Sequence, residues 1–580
     1  MKSFIFENIK YFRPRHNRAG NNIAQVIGLD TETTPEGKPF IFCTSCGESF
    51  TLKDIPYIFF TRKYRDVHFG IYNLKFDSGS ILYGLPFSNL NELRIEGQTV
   101  HNGYKYNYIP HKRLRISARG HGVTFWNIAQ FYSCSLEKAA SKYLNEHKDD
   151  IETKTFTAEY IKINLDKIKK YCIQDAVLTA RLYDYLVNGL KDLALVPTAL
   201  YSTASLSYQY FRKNSNIEDV WDLWCKHPYY LKLACWSYTG GKFEIYKRGK
   251  FTGYNYDINS AYPYEMSKLK SLVGARLRCK PIYQETADYG FLKVWINNKE
   301  GFYLPCAIKA KGLNIYPAGS FYCTITKSEY EYIISLGIDV KIISACWLWT
   351  QTEHRPYEKI VNGLYERKTH YKDIDRRQYM LTKIMLNGFY GKCCQLIQKN
   401  NGDLMAGNCW NPIYASIITA NTRVRLCEIC NERPKDIIAV HTDSIILKTA
   451  FPQNLIGEKL GQWSLAGHGE GVMVACGVYQ LESKTALRGF LLDKYTDLKN
   501  ILKQAGDAGD IELDSLSVKS WIECVFRNKR HLTNRFIYEK KQLDLNQDLK
   551  RNWFEHTTGN KLLNESQESY PLLVFNNYKR

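Results

Sequence analysis

Residues 438–447 read IAVHTDSIIL, two apolar runs around a short polar tip that carries one carboxylate, Asp443. The pattern predicts a tight pair of buried strands. An ionised carboxylate at the end of such a pair is costly without a cationic partner. A second strand-like run, YNYDINSAYP, ends the same way at Asp257, six residues before Pro263. Two carboxylates from separate strand ends can bridge a pair of divalent metals. Phosphoryl transfer needs chiefly the positioning and charge neutralisation that such a pair supplies.

The segment LTKIMLNGFYGK supplies a third part. On a helix, Lys383, Asn387 and Tyr390 fall at i, i+4 and i+7, one stripe, and Arg376 extends it one heptad back. Alone, this reads as an amphipathic helix with a solvated basic face. Beside Asp257 and Asp443 it suits an incoming nucleotide, with lysine on the triphosphate and tyrosine against the base. Gly391 leaves room for close backbone approach.

A separate set of acids lies near the N-terminus. GLDTET puts Asp30 and Glu32 two apart at a strand end, where both face the same way. YNLKFD adds Asn73 and Asp77 after another strand-like run, and YCIQD puts Tyr171 and Asp175 on one helix face. Four carboxylates gathered in this way make an all-oxygen site for Mg²⁺ or Mn²⁺. Two such ions about 4 Å apart can activate a water and stabilise a leaving 3′ oxygen, with Tyr171 orienting the water.

Charge points to the substrate class. Lys and Arg number 79 against 58 Asp and Glu, a surplus of 79 − 58 = 21. That excess favours nucleic acid as a partner, and some of the 43 tyrosines can stack on bases. No run reaches the roughly 18–20 apolar residues of a membrane span, so no membrane association is expected. The start, MKSFIFENIKYFRPRHNRAG, does not read as a secretory signal. The 17 cysteines read as mostly free thiols in a reducing compartment. CTSC (43–46) and CEIC (427–430) are too far apart in the chain to read as a zinc site.

The chain shows no internal repeat. Strand-like runs (AQVIGLD, YIFFT, VHFGIYNL) give way to helical periodicity from about 135 to 210, and a new start appears near Tyr238. Residues 355–392 read as helical and basic, and strands return at 437–447 and 472–482. GHGEGV (467–472) reads as a loop. The last 90 residues alternate short helices and strands.

These fragments match a family. The three N-terminal fragments resemble the three motifs of DnaQ-like proofreading 3′–5′ exonucleases. DINSAYP, KIMLNGFYG and HTDS resemble motifs A, B and C of family B DNA polymerases. YTGG (238–241) resembles the YxGG motif that links the two domains, and SLEKA (135–139) the motif used for single-stranded DNA and terminal protein. The set is similar to the protein-primed polymerases of small linear-genome bacteriophages and linear plasmids.

The resemblance implies an α/β multidomain fold: an N-terminal RNase H-like (DnaQ-like) exonuclease domain, then a right-hand polymerase. The expected bounds are 1–200 for the exonuclease domain, 201–301 for the first part of the palm, and 302–358 for an insertion contacting terminal protein. Fingers follow at 359–400, the second part of the palm at 401–485, and the thumb and C-terminal region at 486–580. A second insertion would fall between Lys392 and about Trp410, and it is short, which speaks against strong strand displacement.

By resemblance, Asp257 and Asp443 ligate the polymerase metals, helped by the Ile258 carbonyl. Tyr262 packs beneath the sugar, Lys383 meets the triphosphate, and Tyr390 and Asn387 line the nucleotide pocket. Asp30, Glu32, Asp77 and Asp175 hold the exonuclease metals. Asn73, Phe76, Ser135 and Leu136 grip the frayed 3′ end, and Lys154 is the candidate exonuclease lysine. Tyr238, Gly240 and Gly241 contact substrate, as does Tyr479 of CGVYQL. Two Mg²⁺ (or Mn²⁺) ions per site, primer-template and single-stranded DNA, dNTPs and a terminal protein are the implied cofactors and partners. The protein is expected to act as a monomer in the cytoplasm of a bacterial host, or in the mitochondrial matrix or cytoplasm if it serves a eukaryotic linear plasmid.

The match departs in places. His441 stands where motif C has its first Asp, removing a charge and favouring Mn²⁺, or else merely hydrogen-bonding nearby. Gly388 replaces a Ser, and Ala261 a Leu, as small losses of packing. Gly477 replaces the lysine of the KxY motif, so another base must steady the primer. The rival readings are a polymerase using ordinary nucleic-acid primers, an exonuclease whose polymerase half is weakened by His441, and a non-catalytic DNA-binding scaffold.

Overall fold

A computed structural model describes residues 8–14, 21–149, 151, 156–310, 312–398, 403–490 and 497–576. Its N-terminal region is built on an eight-stranded sheet. Three central strands, Ile27–Thr33, His68–Ile71 and His121–Asn127, run parallel, and antiparallel strands extend the sheet on both sides. Phe69 and Phe125 stack on one face with ring centroids 5.2 Å apart. The 34-residue helix Ala158–Lys191 packs against the sheet through a buried stripe that includes Ile168, Cys172, Leu178, Leu182 and Leu186. It approaches so closely that a Cβ on Gly28 would lie 1.8 Å from the Ala176 carbonyl oxygen. Only glycine permits this contact, which brings Asp175 down onto the strand carrying Asp30.

A nine-stranded sheet forms the centre of the molecule. Its main path runs Lys242–Ile245, Ile437–Thr442, Ser444–Leu447, Lys247–Ile258, Trp463–Ala475, Val478–Leu481 and Lys484–Leu487. Strands Arg551–Trp553 and Ser566–Pro571 attach to it from the C-terminal region. Helix Pro412–Glu432 packs behind the sheet. Its apolar and small residues (YASIITA) cover most of its circumference, so it is buried nearly all round.

GHGEGV is not a loop. It lies inside strand Trp463–Ala475 and pairs with Lys247–Ile258, Gly469 opposite Gly253 and Gly471 opposite Phe251. A Cβ on Gly471 would meet the Gln480 carbonyl oxygen at 2.4 Å. These glycines admit a crowded neighbour strand beside a register shift at Asn255/Tyr256, a role that composition alone does not separate from a turn.

A third sheet orders Arg276–Cys279, Asp339–Trp349, Tyr289–Asn298, Ala318–Thr326 and Leu573–Phe575. The bound expected at 302 therefore falls within one hydrogen-bonded unit that starts earlier, because Tyr289–Asn298 pairs on both edges with later strands. Cys279 and Cys346 face each other across this sheet and are disulfide-bonded, while the other 15 cysteines are free.

Residues 355–392 are helical as the sequence suggests, in Glu358–Tyr371, Arg376–Gly388 and Tyr390–Cys393. The segment from Lys392 to Trp410 holds a short hairpin, Leu396–Gln398 with Leu404–Ala406, which Ile9–Lys10 extends by parallel pairing. The C-terminal region does not form one unit apart. Its helix Trp521–Phe526 packs on the N-terminal region, while its last strands join the central and third sheets. Among the described residues no helix is long and apolar enough to cross a membrane.

Candidate functional site

The central sheet brings Asp257 and Asp443 together. Asp257 ends its strand opposite Ser444, and the Ile258 N–H donates to the Asp443 carbonyl at 2.9 Å. Thr442 takes a positive φ of 65°, which turns the hairpin tip. Burial, then repulsion from Asp443, raises the Asp257 pKa to about 7, against the pull of Lys368 and Lys383. Burial also raises Asp443. Two desolvated carboxylates that repel each other are a donor set fitted to divalent cations.

Of the basic stripe, Lys383 acts on Asp257. Lys383, Asn387 and Arg376 are exposed, and Tyr390 is half-buried. Arg376 also donates to the Lys142 carbonyl at 3.2 Å, tying its end of the helix to the N-terminal region. Tyr390 packs on Tyr262 with centroids 4.5 Å apart, and the hydroxyls of Tyr390 and Tyr238 are 3.0 Å apart. A Cβ on Gly241 would lie 2.7 Å from Thr442 Cγ2 and 2.9 Å from the Tyr262 hydroxyl, so this glycine lets the YTGG turn reach both. Gly240 has a φ of 73°, and its carbonyl accepts from buried Arg423, which is 2.6 Å from Glu329. Nothing lies within 4 Å of where a Gly391 Cβ would sit, so the backbone there is open.

Lys368 was not singled out from sequence. Its ammonium is 3.1 Å from Ser260 Oγ, and burial followed by Lys383 lowers its pKa against Asp257. In LYERKTHYKDIDRR it is one base among many, and no spacing marks it.

His441 packs rather than hydrogen-bonding through its Nε2, which is buried without a partner. Its ring lies 4.9 Å from Phe243 and stacks at 5.1 Å on Tyr479. Burial, with help from Lys550, lowers its pKa to about 4, so it is neutral at pH 7 and adds no charge beside Asp443. Gly477 has a φ of 79°, and Arg488 packs where its Cβ would go, at 3.1 Å. Gly388 is not a packing loss: a Cβ there would meet Ser207 Cβ at 2.8 Å, because helix Thr203–Asn214 crosses at that point.

The second centre lies in the N-terminal region. Asp30, Glu32, Asp77 and Asp175 converge there, the last three buried. Burial, then Asp175, Glu32 and Asp77 in turn, raises Asp30 well above the usual range. Glu32 rises to about 8 through burial and Asp175, and Asp77 to about 7 through burial, opposed by a Thr31 hydrogen bond. Asp175 Oδ1 is buried without a partner, an orphan acceptor that a cation would satisfy. Cys172 Sγ also lies within 4.8 Å of Asp30 and Glu32 carboxylate oxygens, which nothing in YCIQD signals.

Lys154 falls outside the described residues. Lys148, not singled out from sequence, meets Asp175 Oδ2 and lies 4.5 Å from the centre of the Tyr171 ring. Its backbone N–H donates to Glu137 at 2.6 Å, which fixes it. Burial opposes its charge, but Asp175 and Tyr171 outweigh that and hold its pKa above the ordinary value. Asn73 and Ser135 are exposed, Phe76 is half-buried, and Leu136 is buried at the start of a short helix capped by Ser135. The Tyr72 hydroxyl donates to the Cys134 and Ser135 carbonyls at 2.9 and 3.2 Å, drawing these segments together.

Comparison with known proteins places these two centres in context. Residues 108–408, more than half of the chain, match the model of the family described as DNA polymerase type B, organellar and viral. The chain belongs to this family. Its fold is that of Phi29 DNA polymerase, an N-terminal exonuclease domain followed by palm, fingers and thumb. The structure of Phi29 DNA polymerase with primer-template DNA superimposes with a TM-score of 0.64 at 16% identity, covering 90% of this chain and all of that one. The ternary complex with incoming nucleotide gives 0.63. A DNA polymerase of Acidianus bottle-shaped virus is 28% identical over 444 residues, 67% of this chain. This chain spans 64% of that protein's length, and 19% of a probable DNA polymerase of Ascobolus immersus, 26% identical over 238 residues.

Proposed function

We propose that the protein is a DNA-directed DNA polymerase with 3′–5′ proofreading activity. One observation carries the reading: Asp257 and Asp443, from strands far apart in sequence, are joined by the 2.9 Å bond from Ile258 N–H. Lys368 and Lys383 act on Asp257 from neighbouring helices. Asp257, Asp443 and the Ile258 carbonyl would hold two Mg²⁺ or Mn²⁺ ions. When bound, these supply activation of the primer 3′-hydroxyl and charge neutralisation at the α-phosphate. Lys383 and Lys368 bind the triphosphate, Tyr390 and Tyr262 line the base and sugar, and Tyr479 with Arg488 steadies the primer. Primer-template DNA and dNTPs are the substrates, as the Phi29 complexes suggest.

In the second centre, Asp30, Glu32, Asp77 and Asp175 would hold metals of the same kind, for which the unpartnered Asp175 Oδ1 is the fitting acceptor. Tyr171, held by Lys148, orients the attacking water. Asn73, Phe76, Ser135 and Leu136 receive the single-stranded 3′ end. Initiation from a terminal-protein hydroxyl is part of the proposal, supported by SLEKA and the likeness to Phi29. The protein works as a cytoplasmic monomer; its 15 free cysteines accord with a reducing compartment, and the Cys279–Cys346 disulfide does not.

The test is extension of a labelled primed template with four dNTPs, in Mg²⁺ and separately in Mn²⁺, beside Asp443→Ala. Extension that the variant loses supports the reading. Shortening without extension in either metal sinks the polymerase half. Labelling of a terminal protein by the first dNTP on an origin template tests priming, and labelling that needs a nucleic-acid primer overturns it.

A further inference from the structure

The proofreading centre is joined to the C-terminal region by a line of buried hydrogen bonds. Asn534 Nδ2 donates to Ser80 Oγ at 3.1 Å. Ser80 Oγ lies 3.0 Å from Thr31 Oγ1, which donates to Asp77 Oδ1 at 2.8 Å. Thr31 has one hydroxyl proton, and the carboxylate takes it. The Ser80 proton therefore points to Thr31, and Ser80 oxygen accepts from the Asn534 amide. Every donor in the line points toward Asp77. Asn534, Ser80, Thr31 and Asp77 are at most 3% exposed, so water does not substitute for any link.

The contact around this line is close and specific. A Cβ on Gly79 would lie 2.6 Å from Asn534 Oδ1, and one on Gly37 would lie 2.0 Å from the Thr533 carbonyl oxygen. Asn534 has a φ of 61°, a conformation that asparagine tolerates better than most residues. Trp521 Nε1 donates to Ser78 Oγ at 3.2 Å, and Arg530 donates to the Tyr83 carbonyl at 2.5 Å. The helix Leu74–Ile81 that carries Asp77 is thus held on its Ser78–Ser80 side by residues 521–534.

We infer that Asn534 is a positioning residue of the proofreading centre, acting through Ser80 and Thr31 to fix the Asp77 carboxylate for metal. The inference rests on the exonuclease reading above. Groups that hydrogen-bond a metal ligand directly contribute about 10–100-fold to metal affinity; Thr31 holds that place here, and Asn534, two links further back, contributes less. The C-terminal region thereby completes a site whose ligands all lie in the first 175 residues.

The experiment uses the full chain in an Asp257→Asn/Asp443→Asn background, which leaves the proofreading centre as the metal site. Asn534→Gly removes the side chain and keeps the backbone conformation. Asn534→Asp keeps the shape and replaces the donor by an acceptor. Mn²⁺ binding is titrated by electron paramagnetic resonance, and primer shortening is followed against Mn²⁺ concentration. Both variants should weaken Mn²⁺ binding by about threefold, less than the loss of a direct partner, and raise half-saturating Mn²⁺ equally. In the otherwise wild-type chain, extension should stay within about twofold. Thr31→Val should weaken binding further, and Asn534→Gly should add nothing to it, because the line is already cut. Unchanged Mn²⁺ binding in both Asn534 variants, or full additivity with Thr31→Val, overturns the inference alone. No primer shortening by the wild-type chain overturns the exonuclease reading, and the inference with it.

Discussion

The two centres solve one electrostatic problem differently. The proposed proofreading centre packs four carboxylates into the interior and, among the described residues, answers them with one fixed lysine, Lys148. The polymerase centre has two carboxylates, and its lysines stand on neighbouring helices, with Lys383 exposed to solvent. The first centre is short of positive charge until metal arrives. The second keeps cations in reserve for a substrate that brings its own negative charge. That contrast suits the two proposed reactions: a nuclease receives one frayed strand, whereas a polymerase must also hold a triphosphate.

The sharpest break comes from the acids themselves. Asp443→Asn should lower extension about 1000-fold, some 4 kcal/mol of transition-state stabilisation, and leave primer shortening intact. Asp30→Asn should do the reverse by a similar factor. Gel assays of both activities in each variant check this, and loss of both in either variant would mean that the centres are not separate.

The fixed and the reserve lysines should separate next. Lys148→Met should slow shortening by about 100-fold, since it leaves Asp175 buried and unpaired. Lys368→Met should raise the KM for dNTP about tenfold, the loss of one charge-assisted contact, with little change in shortening. Steady-state kinetics on both substrates decide it, and equal effects would remove the contrast.

Acidity offers a milder test. In the folded chain Glu32 keeps its proton to about pH 8, and Asp77 and Asp257 to about 7. The unfolded chain releases these protons near pH 4. Between those limits the folded state binds more protons, so stability falls as pH rises. Melting in chelator should show a Tm that drops from pH 5 to pH 8, and excess Mg²⁺ should flatten the drop. Asp30→Asn should flatten it more than Asp257→Asn, because more carboxylates share the first centre.

The smallest effect is expected at Gly388→Ser, where the new side chain meets Ser207. It should cost about 1–3 kcal/mol of stability, read as a lower denaturation midpoint, with no change in metal dependence.

Much of this was legible in the residues. A carboxylate between two apolar runs predicts the 437–447 hairpin, and the spacing in YCIQD predicts the helix face that holds Tyr171 and Asp175. What stayed hidden depends on distant partners. Lys148 and Lys368 are two of 79 basic residues, and only the backbone bond to Glu137 and the approach to Ser260 single them out. The glycines at 467–471 look like a turn because the atoms that exclude their side chains belong to neighbouring strands. Asn534 sits in HLTNRF, which carries no pattern at all. Gly388 looks like a defect in sequence because helix Thr203–Asn214, which lies against it, is distant in the chain.

The strand Ser566–Pro571 pairs with Lys247–Gly249, more than 300 residues earlier. Leu573–Phe575 likewise closes the sheet begun at Arg276. On the ribosome, the helices between these partners can pack as they emerge, but the edges of both sheets must wait for strands made far later in the chain. Contacts this distant in sequence are slow to form, and until they do each sheet offers an open edge to any passing strand. Between the making of the two partners, each growing chain is therefore prone to stick to its neighbours.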